Sequence, residues 1–130
     1  MRSLHVDKSL TILIVDDSVV MRAVIARAVR LSGANVDTIY DAKDGATALA
    51  MLEKHSSIDV VFTDINMPVM NGVQLLREIM RRGWTHLIRI VVSTDSSKVR
   101  RAEVEELGVN LMVEKPFTPE AIRDALSVSH

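Results

Sequence analysis

A short apolar run that stops abruptly at two acids decides the fold: TILIVDDS, residues 11–18. An uninterrupted run of this length, rich in β-branched residues, is typical of a central strand that is buried on both faces. Three further apolar runs end in the same manner, at Asp64, at the pair Ser93 and Thr94, and at Lys115. If these runs are neighbouring parallel strands, all four polar signals meet at the carboxyl edge of one sheet, where ligands bind in open α/β folds.

Longer stretches with helical spacing separate the apolar runs, which is the pattern of repeated βα units. The predicted strands are 10–15, 35–40, 58–63, 87–92 and 109–114. The predicted helices begin after Ser18, cover 43–54, follow the loop 65–72 as far as Arg82, and cover 97–107 and 119–126. Five βα units with short loops indicate a doubly wound, flavodoxin-like α/β fold. We expect a five-stranded parallel sheet in the order 2-1-3-4-5 with helices on both faces, and strand 2 at an edge.

Helix signals also predict which side chains cap the helices and which face the sheet. Ser18 and Thr118 are expected as N-caps, the latter before Pro119 at the favoured first helical position. The predicted inward residues are Val20, Val24, Ile25, Ala28 and Leu31 in helix 1, Ala46, Leu49, Ala50 and Leu52 in helix 2, and Val73, Leu76, Ile79 and Met80 in helix 3.

Length and composition limit the classes of protein to which the chain can belong. It has 130 residues, 48% hydrophobic and 25% charged, as expected of one globular domain. We predict an N-terminal extension over 1–9, the domain over 10–127 and a C-terminal tail over 128–130. A net charge of −1 favours neither nucleic acid nor anionic membrane as a partner, and the absence of cysteine excludes disulfides and thiolate chemistry. A cytoplasmic location is the expectation.

The acids at the sheet edge predict a metal site. Asp16 and Asp17 end strand 1 and Asp64 ends strand 3, which is the neighbour of strand 1 in the expected order. Three close carboxylates repel one another unless a cation lies among them, and Mg²⁺ prefers oxygen ligands of this kind. Mn²⁺ is expected to substitute for it. A carboxylate can also accept a phosphoryl group, with Lys115 supplying countercharge and a nearby hydroxyl a hydrogen bond.

The segments ILIVDDS, FTDINMPVMNG, VVST and VEKPF together resemble the response-regulator receiver domain, most closely the single-domain chemotaxis type. The resemblance extends from Leu10 to about Leu126. It implies a signalling domain rather than an enzyme, one that accepts a phosphoryl group from a sensor histidine kinase and hydrolyses it slowly. It also implies an output partner that binds the face formed by helix 4, strand 5 and helix 5.

The same resemblance implies roles for individual residues. Asp64 is the phosphoacceptor, Ser93 contacts the phosphoryl group and Lys115 pairs with it. Asp17, Asp64 and the backbone carbonyl of Asn66 bind Mg²⁺ directly, Asp16 binds mainly through water, and the Lys115–Pro116 peptide bond is cis. We further predict that Asn66 and Asp95, which flank the expected path of the attacking water, set the lifetime of the phosphorylated state.

The sequence departs from the family pattern in two places. Either Ser93 or Thr94 can supply the phosphoryl contact, and the spacing to Lys115 favours Ser93. Thr94 then occupies a position that usually holds a small residue, where its methyl group narrows access to Asp64. Met112 stands at the switch position, where related proteins usually carry an aromatic ring. The sequence therefore does not define in detail how phosphate is coupled to the output face.

Two other classes of function fit the sequence less well. An aspartyl-nucleophile phosphohydrolase needs an Asp-x-Asp pair and a cap, but the acids here are adjacent and the length leaves no room for a cap. A nucleotide or flavin module is disfavoured because the five glycines are far apart and form no phosphate-binding fingerprint. A phosphate sink or phosphorelay intermediate remains open. The expected state is a monomer, with a phosphorylation-dependent dimer left open.

Overall fold

The computed structural model describes residues 9–129, which form five strands and five α-helices. The strands are β1 (Leu10–Val15), β2 (Val36–Ala42), β3 (Val60–Thr63), β4 (Ile88–Ser93) and β5 (Leu111–Glu114). The helices are α1 (Val19–Leu31), α2 (Gly45–Lys54), α3 (Gly72–Arg81), α4 (Lys98–Glu106) and α5 (Pro119–Ser129). The predicted extension over 1–9 lies outside the described residues except for Ser9, as does the last residue of the predicted tail. The proposed domain limits stay a prediction.

The sheet has the predicted architecture. All strand pairs are parallel, the order is β2-β1-β3-β4-β5, and β2 lies at an edge, so these three predictions are confirmed. Residues of α1 and α5 pack on one face, and residues of α2, α3 and α4 pack on the other. Val15 pairs with Thr63 across β1 and β3. The residues that follow this pair, Asp16 and Asp64, therefore start at the same level of the carboxyl edge.

Several predicted inward side chains are exposed instead. In α1 the buried residues are Ile25, Ala28 and Val29, whereas Val20, Val24 and Leu31 are 68%, 45% and 62% exposed. Ala46, Ala50 and Met80 are exposed as well, and Leu49 is half-buried. These helices carry apolar residues on more than one side, so two stripes with helical spacing compete. Contact with the sheet selects one of them. The other predicted inward residues are buried as expected: Ile25, Ala28, Leu52, Val73, Leu76 and Ile79.

The helix ends agree more closely with the sequence signals. Met21 N–H donates to the Ser18 hydroxyl at 3.1 Å, and Ala121 N–H donates to the Thr118 hydroxyl at 3.1 Å, so both predicted N-caps are confirmed. The predicted last helix stops at Leu126, but α5 continues to Ser129.

A buried arginine lies at the amino ends of the strands, opposite the end of the sheet that carries the acids. Arg89 of β4 is 7% exposed, and burial lowers the pKa of its guanidinium. Its N–H groups donate to backbone carbonyls of Trp84 and Leu87 before β4, and of Leu107 and Gly108 after α4, at 3.2 to 3.4 Å. The carbonyls after α4 carry the partial negative charge of a helix C-terminus, which compensates the cation. Arg89 therefore joins the turn after α3 to the turn after α4.

We expect Arg89→Ala to lower the free energy of unfolding by about 3 kcal/mol, because it leaves a cavity and deprives buried carbonyls of their donors. Urea denaturation measures the change. Arg123→Ala is the matched control: its side chain is 53% exposed and pairs with the adjacent Asp124. The control is expected to stay within about 0.5 kcal/mol of the unsubstituted protein. Equal effects of the two substitutions would contradict a structural role for Arg89.

Candidate functional site

Three carboxylates meet at the carboxyl edge of the sheet. One side-chain oxygen from each of Asp16, Asp17 and Asp64 lies within 4.8 Å of the other two. Asp16 is buried at 1% exposure, Asp64 is half-buried and Asp17 is exposed, so the cluster opens towards solvent on one side. The register of β1 and β3 brings the acids together, as the sequence predicted.

Lys115 supplies a positive charge to this cluster. Its Nζ donates to Oδ2 of Asp16 at 2.9 Å and to Oδ2 of Asp64 at 3.3 Å, and its side chain is 13% exposed. Burial by itself lowers the pKa of Lys115, but the hydrogen bond to Asp16 and the charge of Asp64 outweigh that effect and raise the pKa above its ordinary value. The ammonium is therefore charged at neutral pH and offsets one of the three negative charges.

The loop between β3 and α3 folds back over the backbone of Asp64. Gly72 N–H donates to the Ile65 carbonyl at 2.8 Å, and a Cβ atom at Gly72 would lie 2.1 Å from the Asp64 carbonyl oxygen. Only glycine permits this approach. Val69 in the same loop has a φ of 67° and is 82% exposed, and this φ is a strained conformation for a β-branched residue.

The two candidate hydroxyls have different environments. Ser93 is fully buried, and its Oγ accepts a hydrogen bond from Asp95 N–H at 3.1 Å, whereas Thr94 is exposed. The Asp95 carboxylate accepts from Arg100 Nε at 3.1 Å, and this hydrogen bond lowers the pKa of Asp95 below its ordinary value. Asp95 is therefore held towards α4.

The remaining predicted site residues lie around the cluster. Asn66 is exposed in the β3–α3 loop, and the Lys115–Pro116 peptide bond is cis. Lys115 N–H donates to the Ser93 carbonyl at 2.9 Å, which joins the ends of β5 and β4. Met112 is half-buried and packs against an apolar cluster of Ile65, Val73, Leu76, Val91 and Val104. This cluster connects the residue after Asp64 to α4.

Sequence reasoning missed two arginines that contact the site. Arg22 donates to the Asp16 carbonyl, and Arg100 binds Asp95. A signal for Arg22 was available, because a cation in the first turn of a helix opposes the helix dipole and calls for an acidic partner. No comparable signal marked Arg100, because α4 contains both basic and acidic residues and Arg100 does not stand out among them.

A model of the response regulator receiver domain matches residues 12–127 of this chain. The chain belongs to the response regulator receiver domain family. This receiver domain is 33% identical over 116 residues to the chemotaxis protein CheY homolog of Campylobacter jejuni, a match that covers 88% of each chain. It is 36% identical over 121 residues to chemotaxis protein CheY-3 of Vibrio cholerae, covering 92% of this chain and 91% of that protein.

Solved structures give the same fold. CheY4 of Vibrio cholerae superposes with a TM-score of 0.81 at 29% identity, covering 95% of this receiver domain and all of that chain (100%). A complex of CheX and CheY with BeF3 and Mg²⁺ from Borrelia burgdorferi matches with a TM-score of 0.80 at 25% identity, covering 90% and 86% of the two chains. Between residues 9 and 129, no helix of this receiver domain has the length and apolar character needed to cross a bilayer.

The acid cluster has the donor chemistry of a divalent metal site. Three carboxylate oxygens within 4.8 Å match the preference of Mg²⁺ for a few hard oxygen ligands supplemented by water. Asp17 leaves the cluster open to solvent on one side, which provides an entry path for a cation. The residues present therefore fit the predicted cofactor.

We expect Mg²⁺ to raise the thermal unfolding temperature of the receiver domain, because it binds the folded acid cluster and relieves its repulsion. Stabilisation is expected to reach about 2.7 kcal/mol when free Mg²⁺ exceeds its Kd a hundred-fold. Differential scanning calorimetry with and without a chelator measures the shift. Asp17→Asn is expected to abolish it, while Asp37→Asn, which changes an exposed acid of β2, is expected to preserve it. A shift that survives in Asp17→Asn would place the bound metal elsewhere.

Proposed function

We propose that this receiver domain accepts a phosphoryl group on Asp64 from a sensor histidine kinase and thereby changes its affinity for an output protein. The observation that carries the proposal is the Lys115 ammonium, which lies 2.9 Å from Asp16 and 3.3 Å from Asp64 at the open edge of the sheet. The relatives in Campylobacter jejuni and Vibrio cholerae are chemotaxis proteins, which supports a role in chemotaxis for this chain. The expected cytoplasmic location stays a prediction.

Asp64 is suited to act as the nucleophile. Ile65 N–H donates to its Oδ1 at 2.7 Å and Lys115 to its Oδ2, so the carboxylate is held in one orientation while 12% of its side chain remains exposed. In the reaction a carboxylate oxygen attacks phosphorus and a new O–P bond forms. The P–N bond of the phosphohistidine breaks, and its electron pair stays on the ring nitrogen. The imidazole leaves as the neutral base when its other nitrogen is already protonated, and otherwise it takes up a proton from solvent.

Two groups of the chain balance the charge of the transferred phosphoryl group. The Lys115 ammonium lies beside Asp64 and can pair with a phosphoryl oxygen after transfer. The Ser93 hydroxyl accepts from Asp95 N–H, so its own proton remains available for donation to phosphate. Burial of Ser93 and exposure of Thr94 support Ser93 as the contact, in agreement with the spacing. Orientation and countercharge supply most of the catalysis in phosphoryl transfer.

We assign Asp16, Asp17, Asp64 and the Asn66 carbonyl to the binding of Mg²⁺, with Mn²⁺ as a substitute. When bound, the ion supplies positive charge against the phosphoryl oxygens. Asp16 is the least accessible of these acids, because its side chain is 2% exposed, whereas that of Asp64 is 12% exposed and Asp17 is exposed. This supports a water-mediated role for Asp16 and direct ligation by Asp17 and Asp64.

The output surface is assigned to the face of α4, β5 and α5. Met112 of β5 packs on the cluster that contains Ile65, next to Asp64, and Val104, the buried residue of α4. A shift in the loop after Asp64 therefore reaches α4 through apolar contacts, without an aromatic switch residue. The coupling requires that phosphate interact better with one arrangement of this cluster than with the other.

Incubation with acetyl phosphate and Mg²⁺ is expected to add the mass of one phosphoryl group, detected by intact-protein mass spectrometry. Asp64→Ala is expected to show no addition, because the acceptor carboxylate is gone. Asp37→Asn serves as the control that keeps the acceptor. An equal addition to the Asp64→Ala protein would refute Asp64 as the phosphoacceptor.

The rate of the same reaction distinguishes the two hydroxyls. Ser93→Ala is expected to slow phosphorylation about 100-fold, the usual effect of removing one preorganised donor to a developing charge. Thr94→Ala is expected to stay near the unsubstituted rate or exceed it, since it removes a methyl group at the site entrance. A large loss in Thr94→Ala together with a normal rate in Ser93→Ala would reverse the assignment.

A further inference from the structure

Arg22 is a cation in an unfavourable place. It lies in the first turn of α1, four residues after the N-cap Ser18, where the helix dipole disfavours positive charge. Its side chain is nevertheless only 16% exposed. Specific contacts must therefore compensate both the dipole and the loss of water.

Two hydrogen bonds provide that compensation. Arg22 Nε donates to Oδ2 of Asp41 near the end of β2 at 2.9 Å, and Nη1 donates to the backbone carbonyl of Asp16 at 2.6 Å. The guanidinium thus joins the edge strand β2 to the loop 16–18 between β1 and α1, here called the acid loop. Asp41 also neutralises the charge of Arg22, so the ion pair as a whole exerts little electrostatic effect on the metal site.

The bond to the Asp16 carbonyl has a geometric consequence. That carbonyl belongs to the peptide group that joins Asp16 to Asp17, so its orientation determines where the Asp17 side chain begins. The carboxylate of Asp16 is held separately, by Ser18 N–H at 2.9 Å and by Lys115 at 2.9 Å. Asp17 is exposed, and the plane of this peptide determines the direction in which its side chain leaves the backbone.

We propose that Arg22 is a positioning residue for the Mg²⁺ site. It holds the Asp16–Asp17 peptide so that the Asp17 carboxylate faces Asp64, and Asp41 holds Arg22 in turn. This inference rests on the proposed function, because it concerns the metal on which phosphorylation depends. Groups that orient metal ligands through hydrogen bonds typically change metal affinity when they are removed.

The test is the Kd of Mg²⁺ alone, measured by isothermal titration calorimetry. Arg22→Met is expected to raise the Kd about ten-fold. Arg22→Lys keeps the charge but not the planar fork, so it cannot make both bonds with the same geometry, and it is expected to raise the Kd by a smaller factor. Arg27→Met, which changes an exposed arginine of the same helix, is the matched control and is expected to leave the Kd unchanged.

Thermal unfolding in a chelator separates positioning from stability. A purely structural Arg22 would lower the unfolding temperature but leave the Kd of the folded protein unchanged, and that result overturns the inference. If Arg22→Met does not fold, Arg22→Lys decides: an unchanged Kd overturns the inference and a raised Kd supports it. Failure of the unsubstituted protein to bind Mg²⁺ would instead refute the proposed function, and with it the premise of this inference.

Discussion

Repulsion among three carboxylates is the constraint around which the rest of the molecule is arranged. Asp16, Asp17 and Asp64 present oxygens within 4.8 Å of one another, and Lys115 offsets only one of their charges. The apolar sheet supports this unfavourable cluster, because the register of its two central strands brings the acids to one level. The repulsion that remains is what makes the site receptive to a divalent cation.

Three arginines hold the loops that a parallel sheet leaves at its ends. Arg22 ties the acid loop to the end of β2, and Arg100 ties the residues after β4 to α4. Arg89 joins two turns at the opposite edge. Each guanidinium has several donors in one plane, so it can bind two or more acceptors from segments that are distant in sequence. At the acid cluster the contact is made by a lysine instead: the compact ammonium of Lys115, on its flexible chain, donates to Asp64.

Four of the strands were predictable because each is a short apolar run bounded by polar residues, whereas β2 contains Asp37 and Asp41, as suits an edge strand. The strand order followed from the handedness of βα connections. The sides of the helices were less predictable. In α1 the apolar residues surround most of the helix, so spacing alone allowed Val20 and Val24 to face the sheet together with Ile25. Both valines are exposed in the structure, and Val29 is buried in their place. Burial is decided by which residues the sheet and α5 contact, and a single helix does not carry that information.

The acids of the site, Lys115 and the strand order follow from the sequence by itself, because each is a local signal at the end of an apolar run and parallel strands bring such ends together. The spacing to Lys115 favours Ser93 over Thr94 for the proposed phosphoryl contact, and only the structure adds that Ser93 is buried whereas Thr94 is exposed. The contact of Arg22 with Asp41 is different. It joins a helix to a strand 19 residues away, and only the folded backbone brings the two within 2.9 Å. Contacts of this kind depend on distances between elements, which the local pattern of residues does not contain.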